Sequence, residues 1–509
     1  MGVNLDEVDV VVIGYGPTGM TTAALLGRAG HRVTVLERYS GLYNLPRAAS
    51  FDDETMRTFA RLGIADRLLP TVHAQPTYEW RNGAGDLLIE HAYAAEGRSG
   101  WAEWYMMYQP DLEDALHEVC RSTPGVEIRL GAAVTGIDQA GEQVVVTTAD
   151  GSRVRARFVV ACDGGNSFVR EALAIGQDDY GFAEPWMVCD FRLNRPAEAI
   201  GLPRALQLGD PRHPTSIISL GPRHHRFSFM LEAGETTEDA AAVWTRVADR
   251  LTPADAELIR VATYTFRSLV AHQWRAGRVL LAGDAAHQMP PFLGQGMCSG
   301  VRDARNVAFK LDLVLRGAVE DTVLDTYQSE REPHVRAVIE KGVELGRAQT
   351  IRDPELAAER DRTLLARRAA AEKPESLRLP GLGDGLVVDG GGELSVQGRV
   401  DDGTRVELLD RIVGGGFHLL VAEEALAELD RAALDAAGIR VVAFGDRPGG
   451  AVVADVDGTY RRWFAELGAT AIAVRPDFYV FGAGTDPKGL AGELLAAVAP
   501  VPGAAGGFV

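Results

Sequence analysis

The chain has 509 residues and a formal net charge of -19. This length allows two or three domains, and the acidic balance argues against nucleic acid or an anionic membrane as a partner. The acidic start, the missing long apolar run and the four separated cysteines predict no export signal, membrane span, zinc site or redox dithiol. We therefore expect a cytoplasmic protein without a bound metal, and the sequence leaves open whether it forms a homodimer.

The chain begins with a strand-turn-helix pattern that is typical of nucleotide binding. A β-branched run, Val8 to Ile13, ends directly in the sequence GYGPTG, and a second strand, His31 to Leu36, ends in an acid and a base. Glycines here let the backbone approach a pyrophosphate at a helix N-terminus, and a carboxylate after the second strand suits ribose hydroxyls. The residues predicted at this dinucleotide site are Gly14, Gly16, Gly19, Glu37 and Arg38.

The next segment holds an arginine and several aromatic residues. Arg47 stands between a proline and small residues, and it is either a surface charge or a cation against the cofactor. The aromatic residues between Tyr78 and Tyr108 predict strands of a β layer, which serve either core packing or a ligand pocket. Gln109 stands at the start of a predicted helix that runs to Cys120.

Two later strands also end in acidic residues. Phe158 to Ala161 leads into Asp163, and Val279 to Ala282 leads into Asp284. Ligands of open α/β sheets bind at the carboxyl ends of the strands, so these acids are candidate site residues. After Asp284, Pro291 and the glycines Gly294 and Gly296 suit a close approach to a flat ligand before a helix from Met297 to Leu315.

The remaining pattern predicts two further domains. Alternating strands between Pro185 and Val270 indicate an antiparallel sheet inserted into the nucleotide domain, and this sheet is the expected substrate layer. Strands and helices after a Pro- and Gly-rich linker, among them a helix over Ala422 to Ala437, indicate a small α/β domain. The predicted boundaries are 1–75, 106–184 and 271–372 for the nucleotide domain, 76–105 and 185–270 for the substrate layer, 373–392 for the linker, and 393–509 for the C-terminal domain.

Three motifs carry a resemblance to a known family. They are GYGPTG at Gly14 to Gly19, ACDGGNSFVR at Ala161 to Arg170, and LAGDAAHQMPPFLGQGMCSGVRDARNVAFKL at Leu281 to Leu311. In this order they resemble the FAD-dependent aromatic hydroxylases of the p-hydroxybenzoate hydroxylase type. Together with QPDLEDAL at Gln109 to Leu116, the second and third motifs are most similar in sequence to the 3-(3-hydroxyphenyl)propionate hydroxylase branch.

The resemblance implies the fold class and the chemistry. The fold would be α/β: a Rossmann-like FAD-binding domain, an inserted antiparallel substrate sheet and a C-terminal thioredoxin-like domain. NAD(P)H would reduce the FAD, O2 would add to it as a C4a-hydroperoxide, and a small phenol would receive the OH group. The implied cofactor-binding residues are Gly14, Gly16, Gly19, Glu37, Arg38, Arg47, Gln109, Asp163, Asp284, Pro291, Gly294, Gly296 and Met297, and roles in the reaction fall to Arg47, Asp163 and Pro291.

Other functions stay open at this point. An NAD-dependent dehydrogenase would need the first glycine motif but not the two later motifs, and a flavin disulfide reductase would need paired cysteines. A flavin-binding protein without turnover, such as a sequestering or sensing protein, shares every cofactor motif. Within the hydroxylases, the substrate is either a small phenol or a larger natural-product aromatic. The sequence contains no residue pattern that assigns the substrate pocket.

Overall fold

The computed structural model describes residues 6–232, 234–235, 239–370 and 379–498. Parts of the predicted linker (373–378) and of the predicted C-terminal domain (499–509) lie outside the described residues. The strands are β1 (Asp6–Ile13), β2 (Val33–Glu37), β3 (Ser50–Asp52), β4 (His73–Ala74), β5 (Thr77–Asn82), β6 (Leu87–Ala92), β7 (Trp104–Met106), β8 (Val126–Leu130), β9 (Val134–Ala140), β10 (Gln143–Thr148), β11 (Arg153–Ala161), β12 (Gln177–Leu193), β13 (Ala205–Gly209), β14 (Thr215–Ser219), β15 (His224–Met230), β16 (Ala256–Ala271), β17 (Arg275–Ala276), β18 (Val279–Leu281), β19 (His287–Gln288), β20 (Arg399–Asp401), β21 (Val406–Leu408), β22 (Phe417–Ala422), β23 (Ile439–Phe444), β24 (Val452–Asp455), β25 (Ala471–Val474) and β26 (Val480–Gly484).

The helices connect and cover these strands. They are α1 (Pro17–Arg28), α2 (Asp53–Arg61), α3 (Ala65–Leu68), α4 (Gln109–Ser122), α5 (Phe168–Ala172), α6 (Ala197–Ile200), α7 (Ala240–Val247), α8 (Gly296–Leu315), α9 (Thr326–Gln349), α10 (Pro354–Ala369), α11 (Leu409–Val413), α12 (Arg431–Ala436), α13 (Thr459–Leu467) and α14 (Pro487–Val498). Short 3-10 turns cover Gly283–Ala285, Pro291–Leu293, Asp321–Asp325 and Glu423–Glu428. In the described part of the chain, no helix combines the length and apolar character needed to cross a bilayer.

The first sheet has the strand order β17-β18-β11-β1-β2-β8, and β9 and β10 extend it beside β11. The pairs β18–β11, β11–β1, β1–β2 and β2–β8 are parallel. Buried apolar residues fill both faces of β1 and β11, as both faces are covered. Because the central strands are parallel, their carboxyl ends and the acids that follow them lie at one edge of the sheet.

The second sheet has the order β19-β16-β12-β15-β14-β13-β5-β6. It differs from the prediction in one pair, because β5 lies parallel to β13. The aromatic segment also divides: β5 and β6 join this sheet, whereas β7 pairs with β3 and β4 in a separate three-stranded sheet. β12 runs without a break across the predicted boundary between residues 184 and 185, and all of its pairing is within the second sheet.

The C-terminal domain is a seven-stranded sheet in the order β21-β20-β24-β23-β22-β25-β26. β22 pairs with β23 in parallel and with β25 in antiparallel fashion, as in a thioredoxin-like core. The single helix predicted over Ala422 to Ala437 is wrong. A 3-10 turn ends at Glu428, and α12 starts anew because the Asp430 side chain accepts a hydrogen bond from the Ala433 N–H at 3.1 Å.

Charged residues with almost no solvent exposure join the C-terminal domain to the first layer. Arg475 donates two hydrogen bonds to Glu330 of α9, at 3.0 and 2.7 Å, and Lys310 Nζ lies 2.8 Å from the same carboxylate. Arg57 of α2 binds Asp410 of α11 at 2.6 and 3.0 Å. Each domain therefore neutralises buried charges of the other, and removing one partner leaves a buried charge uncompensated.

We expect Arg475→Met to lower the free energy of unfolding by about 3 to 5 kcal/mol, because Glu330 and Asp477 lose their shared cation in a dry environment. Thermal and urea unfolding would measure this change. As a control, Arg399→Met breaks the exposed pair with Asp457 in the same domain and should cost less than about 1 kcal/mol. If both variants lowered the free energy of unfolding by the same small amount, the buried ion pairs between the domains would not stabilise the protein as proposed.

Candidate active site

A cavity of about 2450 Å³ separates the first sheet with its helices from the second sheet. Seven of the predicted site residues line it. The other six do not: Gly14, Gly16, Gly19, Glu37, Arg38 and Asp163. The cavity-lining residues are Arg47, Gln109, Asp284, Pro291, Gly294, Gly296 and Met297. The predicted set thus divides into a group at the sheet edge and a group that faces the cavity.

The glycine turn after β1 shows which glycines the fold needs for itself. A Cβ atom at Gly14, where φ is +96°, would lie 2.3 Å from the Cys162 carbonyl oxygen, and one at Gly19 would lie 2.1 Å from the Gly14 oxygen. A Cβ atom at Gly16 would meet nothing within 4 Å among the described residues. Gly16 is also the N-cap of α1, which has no side-chain cap, so free N–H groups face open space. This arrangement fits the pyrophosphate of a dinucleotide.

The acid after the second strand holds the same turn. Glu37 accepts hydrogen bonds from the backbone N–H of Tyr15 at 2.7 Å and from that of Tyr39 at 2.9 Å. The carboxylate is half-buried beside the glycine turn, which is where a ribose would meet it. Arg38 is exposed, and its guanidinium lies 5.0 Å from the ring centre of Tyr39.

Asp163 has a local role in the second motif. It accepts hydrogen bonds from the Ser167 hydroxyl at 2.6 Å and from the Val169 N–H at 3.1 Å, and so fixes the start of α5. Arg170 of α5 then donates to the carbonyl of Ala285 at 3.1 Å, next to Asp284. The second motif therefore supports the turn that carries Asp284, while the Asp163 carboxyl itself stays outside the cavity.

The backbone around Arg47 is fixed from both sides of the cavity. Gln109 Oε1 accepts hydrogen bonds from the N–H groups of Arg47 and Ala48 at 3.0 and 2.6 Å. Arg226 of the second sheet donates to the carbonyls of Arg47 and Pro46 at 2.6 and 2.9 Å. The Arg47 side chain is exposed and lies 4.1 Å from the ring centre of Tyr43. A fixed backbone with a free guanidinium suits recognition of an anionic or polar ligand.

The opposite wall of the cavity is formed by the third motif. Asp284 is exposed to the cavity but surrounded by protein, and burial raises the pKa of its carboxyl, an effect opposed by the charges of His287 and Arg47. Gly294 adopts a left-handed conformation with φ of +62°. The helix α8 begins at Gly296 without a side-chain cap, so its first N–H groups are free for a ligand.

An arginine that the sequence analysis did not single out holds this wall in place. Arg302 of α8 donates to Glu54 at 2.6 Å and to Gln295 at 2.8 Å, and it also binds Asp52. Gln295 in turn donates to Asp52 at 3.1 Å. Because Gln295 lies between Gly294 and Gly296, this buried network fixes the backbone that faces the cavity. The residues are far apart in sequence, so no local pattern could have identified the network.

The second sheet presents a mixed aromatic and polar face to the cavity. Trp186, Tyr264 and Phe266 form an aromatic part, and the Phe292 ring lies 6.0 Å from that of Trp186. Next to them, Gln207, Ser216 and Ser228 face the cavity from neighbouring strands. The sequence analysis assigned none of these polar residues, and β14 (TSIIS) shows no regular alternation that would have indicated them. Of the aromatic residues between Tyr78 and Tyr108, the cavity receives Tyr78, Trp80, Tyr93 and Trp104.

Family comparisons agree with this fold and site. Residues 7–342 match the family described as FAD binding domain, and residues 392–499 match the HcaD C-terminal domain. The chain belongs to the FAD-dependent aromatic hydroxylases, which are NAD(P)H-using phenolic monooxygenases. The family, the fold class, the cofactor FAD and the co-substrate NAD(P)H predicted from the sequence are thereby confirmed.

Two relatives are similar to this chain over nearly its whole length. The chain is 53% identical over 519 residues to a probable NADH-specific resorcinol 4-hydroxylase of Rhodococcus jostii (strain RHA1), with 98% of this chain and 97% of the relative covered. It is 34% identical over 515 residues to a 3-(3-hydroxy-phenyl)propionate/3-hydroxycinnamic acid hydroxylase of Mycobacterium sp. (strain JLS), with coverage of 94% and 89%.

Solved structures share the architecture over nearly the whole chain. Aklavinone-11 hydroxylase with FAD and aklavinone superposes with a TM-score of 0.77 at 26% identity, covering 97% of this chain and 100% of that chain. The flavin-dependent monooxygenase PieE with FAD and substrate has a TM-score of 0.83 at 23% identity, with 96% and 99% covered, and shows the fold.

Gly16→Ala should leave the unfolding temperature of the FAD-free protein unchanged, because the new methyl group meets open space. It should weaken FAD binding at least tenfold, about 1.4 kcal/mol, because the methyl group keeps the pyrophosphate away from the α1 N–H groups. Fluorescence titration of the FAD-free protein measures the affinity. Gly14→Ala is the matched control and should destabilise the FAD-free fold itself. Unchanged FAD affinity in Gly16→Ala would refute the placement.

The carboxyl group of Asp53, which lies beside the Arg302 network, should make the stability of the protein depend on pH. Burial, followed by the charge of Asp52, raises the pKa of Asp53 to about 7. The folded protein therefore keeps a proton that the unfolded chain loses above its ordinary pKa near 4, so stability falls as pH rises from about 4 to 7.

Asp53→Asn should match the wild type near pH 4 and exceed its stability at pH 8 by about 1 to 2 kcal/mol, since solvent in the cavity relieves part of the cost of the charge. Unfolding at both pH values measures the difference. Asp446→Asn, at an exposed turn, is the control and should behave alike at both. An Asp53→Asn effect independent of pH would contradict the assignment.

Proposed function

We propose that the protein hydroxylates a small uncharged phenol of the resorcinol type, with NADH as the reductant. The net reaction converts the phenol, O2, NADH and a proton into the hydroxylated ring, NAD+ and water. Support comes from the relative of 53% identity, whose name specifies NADH and resorcinol. The relative of 34% identity is named for phenols that carry a carboxylate, so the charge of the cavity face decides between these two substrate classes.

The observation that carries the proposal is the state of Arg226. Arg226 is the only positively charged residue with which the described strands β12 to β16 line the cavity. Its Nε and Nη2 atoms bind Asp190 at 2.7 and 3.2 Å, and its Nη atoms also bind the carbonyls of Pro46 and Arg47. The guanidinium is thus already neutralised and hydrogen-bonded. Arg47, Arg360 and Arg367 line other walls of the cavity, so a substrate carboxylate buried against these strands would find no unpaired cation on them, whereas an uncharged phenol needs none.

The residues have separate parts in this reaction. Bound FAD supplies the redox chemistry that takes hydride from NADH and transfers one oxygen atom of O2 to the ring. Gly16, Glu37 and the α1 N-terminus would hold its pyrophosphate and ribose, Asp284 and the fixed loop of Arg47 its ribityl side, and Pro291 with the α8 N-terminus its ring system. Asp163 would act indirectly by fixing the turn of Asp284. Trp186, Phe266 and Phe292 would exclude water from the reacting ring.

We further propose a cytoplasmic location. The four cysteines are free thiols, which suits a reducing compartment.

Oxygen uptake, NADH oxidation and product mass, measured with resorcinol and with 3-(3-hydroxyphenyl)propionate, test the proposal. We expect resorcinol to give one hydroxylated product per NADH consumed, and the carboxylated phenol to bind and react at least tenfold less well. NADPH should replace NADH poorly. Preference for the carboxylated phenol, or for a large polycyclic aromatic, would overturn the substrate class. NADH oxidation that no phenol accelerates would favour a flavin-binding protein without turnover.

A further inference from the structure

A row of polar side chains crosses the cavity face of the second sheet. Gln207 of β13 lies opposite Ser216 of β14, and Ser216 lies opposite Ser228 of β15. The row continues into apolar residues, with Trp80 beyond Gln207 and Val188 beyond Ser228. Directly opposite residues of antiparallel strands have Cβ atoms about 4.5 to 5.5 Å apart. The two serine hydroxyls therefore stand close enough to contact one ligand oxygen between them.

Both hydroxyls lack a partner inside the protein. Ser216 is 8% exposed and Ser228 is 7% exposed, and both line the cavity. Within residues 6–232, 234–235, 239–370 and 379–498, neither side chain makes a hydrogen bond. The two hydroxyls face the cavity and are not sealed inside the protein, so a ligand that fills the cavity can bond to both. Because they stand side by side on adjacent strands, they form a polar contact site for a ligand oxygen.

The row faces the gap between the two loops predicted to bind the flavin. Two residues along β15 from Ser228, Arg226 contacts the carbonyls of Pro46 and Arg47. Two residues along β12 from Val188 in the other direction, Trp186 packs against Phe292 of the opposite loop. The serine pair therefore lies between the two contacts that join the sheet to the loops predicted to bind the cofactor.

The end of the row is held rigidly. Gln349 of α9 donates a hydrogen bond from Nε2 to Gln207 Oε1 at 2.5 Å, and both side chains are almost fully buried. Gln207 is thus fixed beside Ser216 and does not turn away from the cavity. The row combines neutral donors and acceptors without a charge, which matches a ring hydroxyl and not a carboxylate.

We propose that Ser216 and Ser228 bind the second ring hydroxyl of the substrate, and so select a 1,3-dihydroxybenzene over a phenol with a single hydroxyl. This inference rests on the proposed function. One serine accepts a hydrogen bond from that hydroxyl, and the other donates a hydrogen bond to the same oxygen, so both serine side chains gain a partner. A phenol without the second hydroxyl leaves both serines unpaired, and sites of this kind reject such analogues strongly. Gln207 closes the row and fixes the orientation of the ring.

Isothermal titration of the FAD-loaded protein with resorcinol and with phenol tests this inference without turnover. The variants are Ser216→Ala and Ser228→Ala, and the matched control is Ser219→Ala on the same strand. Ser219 bonds the Gly221 carbonyl at 2.9 Å and does not line the cavity. We expect each of the first two variants to weaken resorcinol binding about tenfold and to leave phenol binding within about twofold. In a separate turnover assay, each should release more hydrogen peroxide per NADH. The control should bind resorcinol as the wild type does.

The outcomes separate the inference from the proposed function. If wild-type protein hydroxylates resorcinol and both serine variants bind it with wild-type affinity, the serine pair does not recognise the hydroxyl and the inference is overturned. If wild-type protein binds resorcinol no better than phenol, the inference is overturned without any variant. If wild-type protein neither binds nor hydroxylates either phenol, the proposed function itself fails, and the inference fails with it.

Discussion

The cofactor end of this hydroxylase depends on a close contact between backbone atoms. Gly14 and Gly19 bring the turn after β1 so near to Cys162 and to itself that no Cβ atom fits at either position. This contact places β1, α1 and the end of β11 in one fixed arrangement, and the parallel pairing of β18 then sets Asp284 at the same edge. Across the cavity, Arg226 joins the second sheet to the Arg47 loop through the Arg47 carbonyl.

The parts of the site that could be predicted from sequence are those carried by short contiguous motifs. The strand ends at Glu37, Asp163 and Asp284 follow β-branched runs, so periodicity indicated both the strands and the acids after them. Arg302, Asp52 and Glu54 could not be predicted as a group, because about 250 residues separate the arginine from the acids. Ser216 and Ser228 escaped notice for a similar reason: their meaning depends on register between two strands, which a single sequence does not specify.

Buried acids at the contacts between layers and domains are matched by buried cations. Glu330 and Asp477 are matched by Lys310 and Arg475, and Asp190 is matched by Arg226 and Arg260. Balance of this kind adds little net stability when complete, but it makes each domain a poor folding unit without the other. The helix predicted over Ala422 to Ala437 illustrates the limit of local reasoning, because Asp430 served as an N-cap within an otherwise helical pattern.

The two longest strands, β12 and β16, connect the second sheet to the cofactor side of the cavity. β12 and β16 pair along almost their whole length, and the far end of β16 pairs with β19 through Leu269–Gln288 and Val270–His287. β19 lies directly between Asp284 and Pro291 in the chain. Because β16 is hydrogen-bonded to both β12 and β19, a displacement of the second sheet would be transmitted through β16 to the segment between Asp284 and Pro291. The segment that meets the cofactor is thus tethered to the surface that meets the substrate.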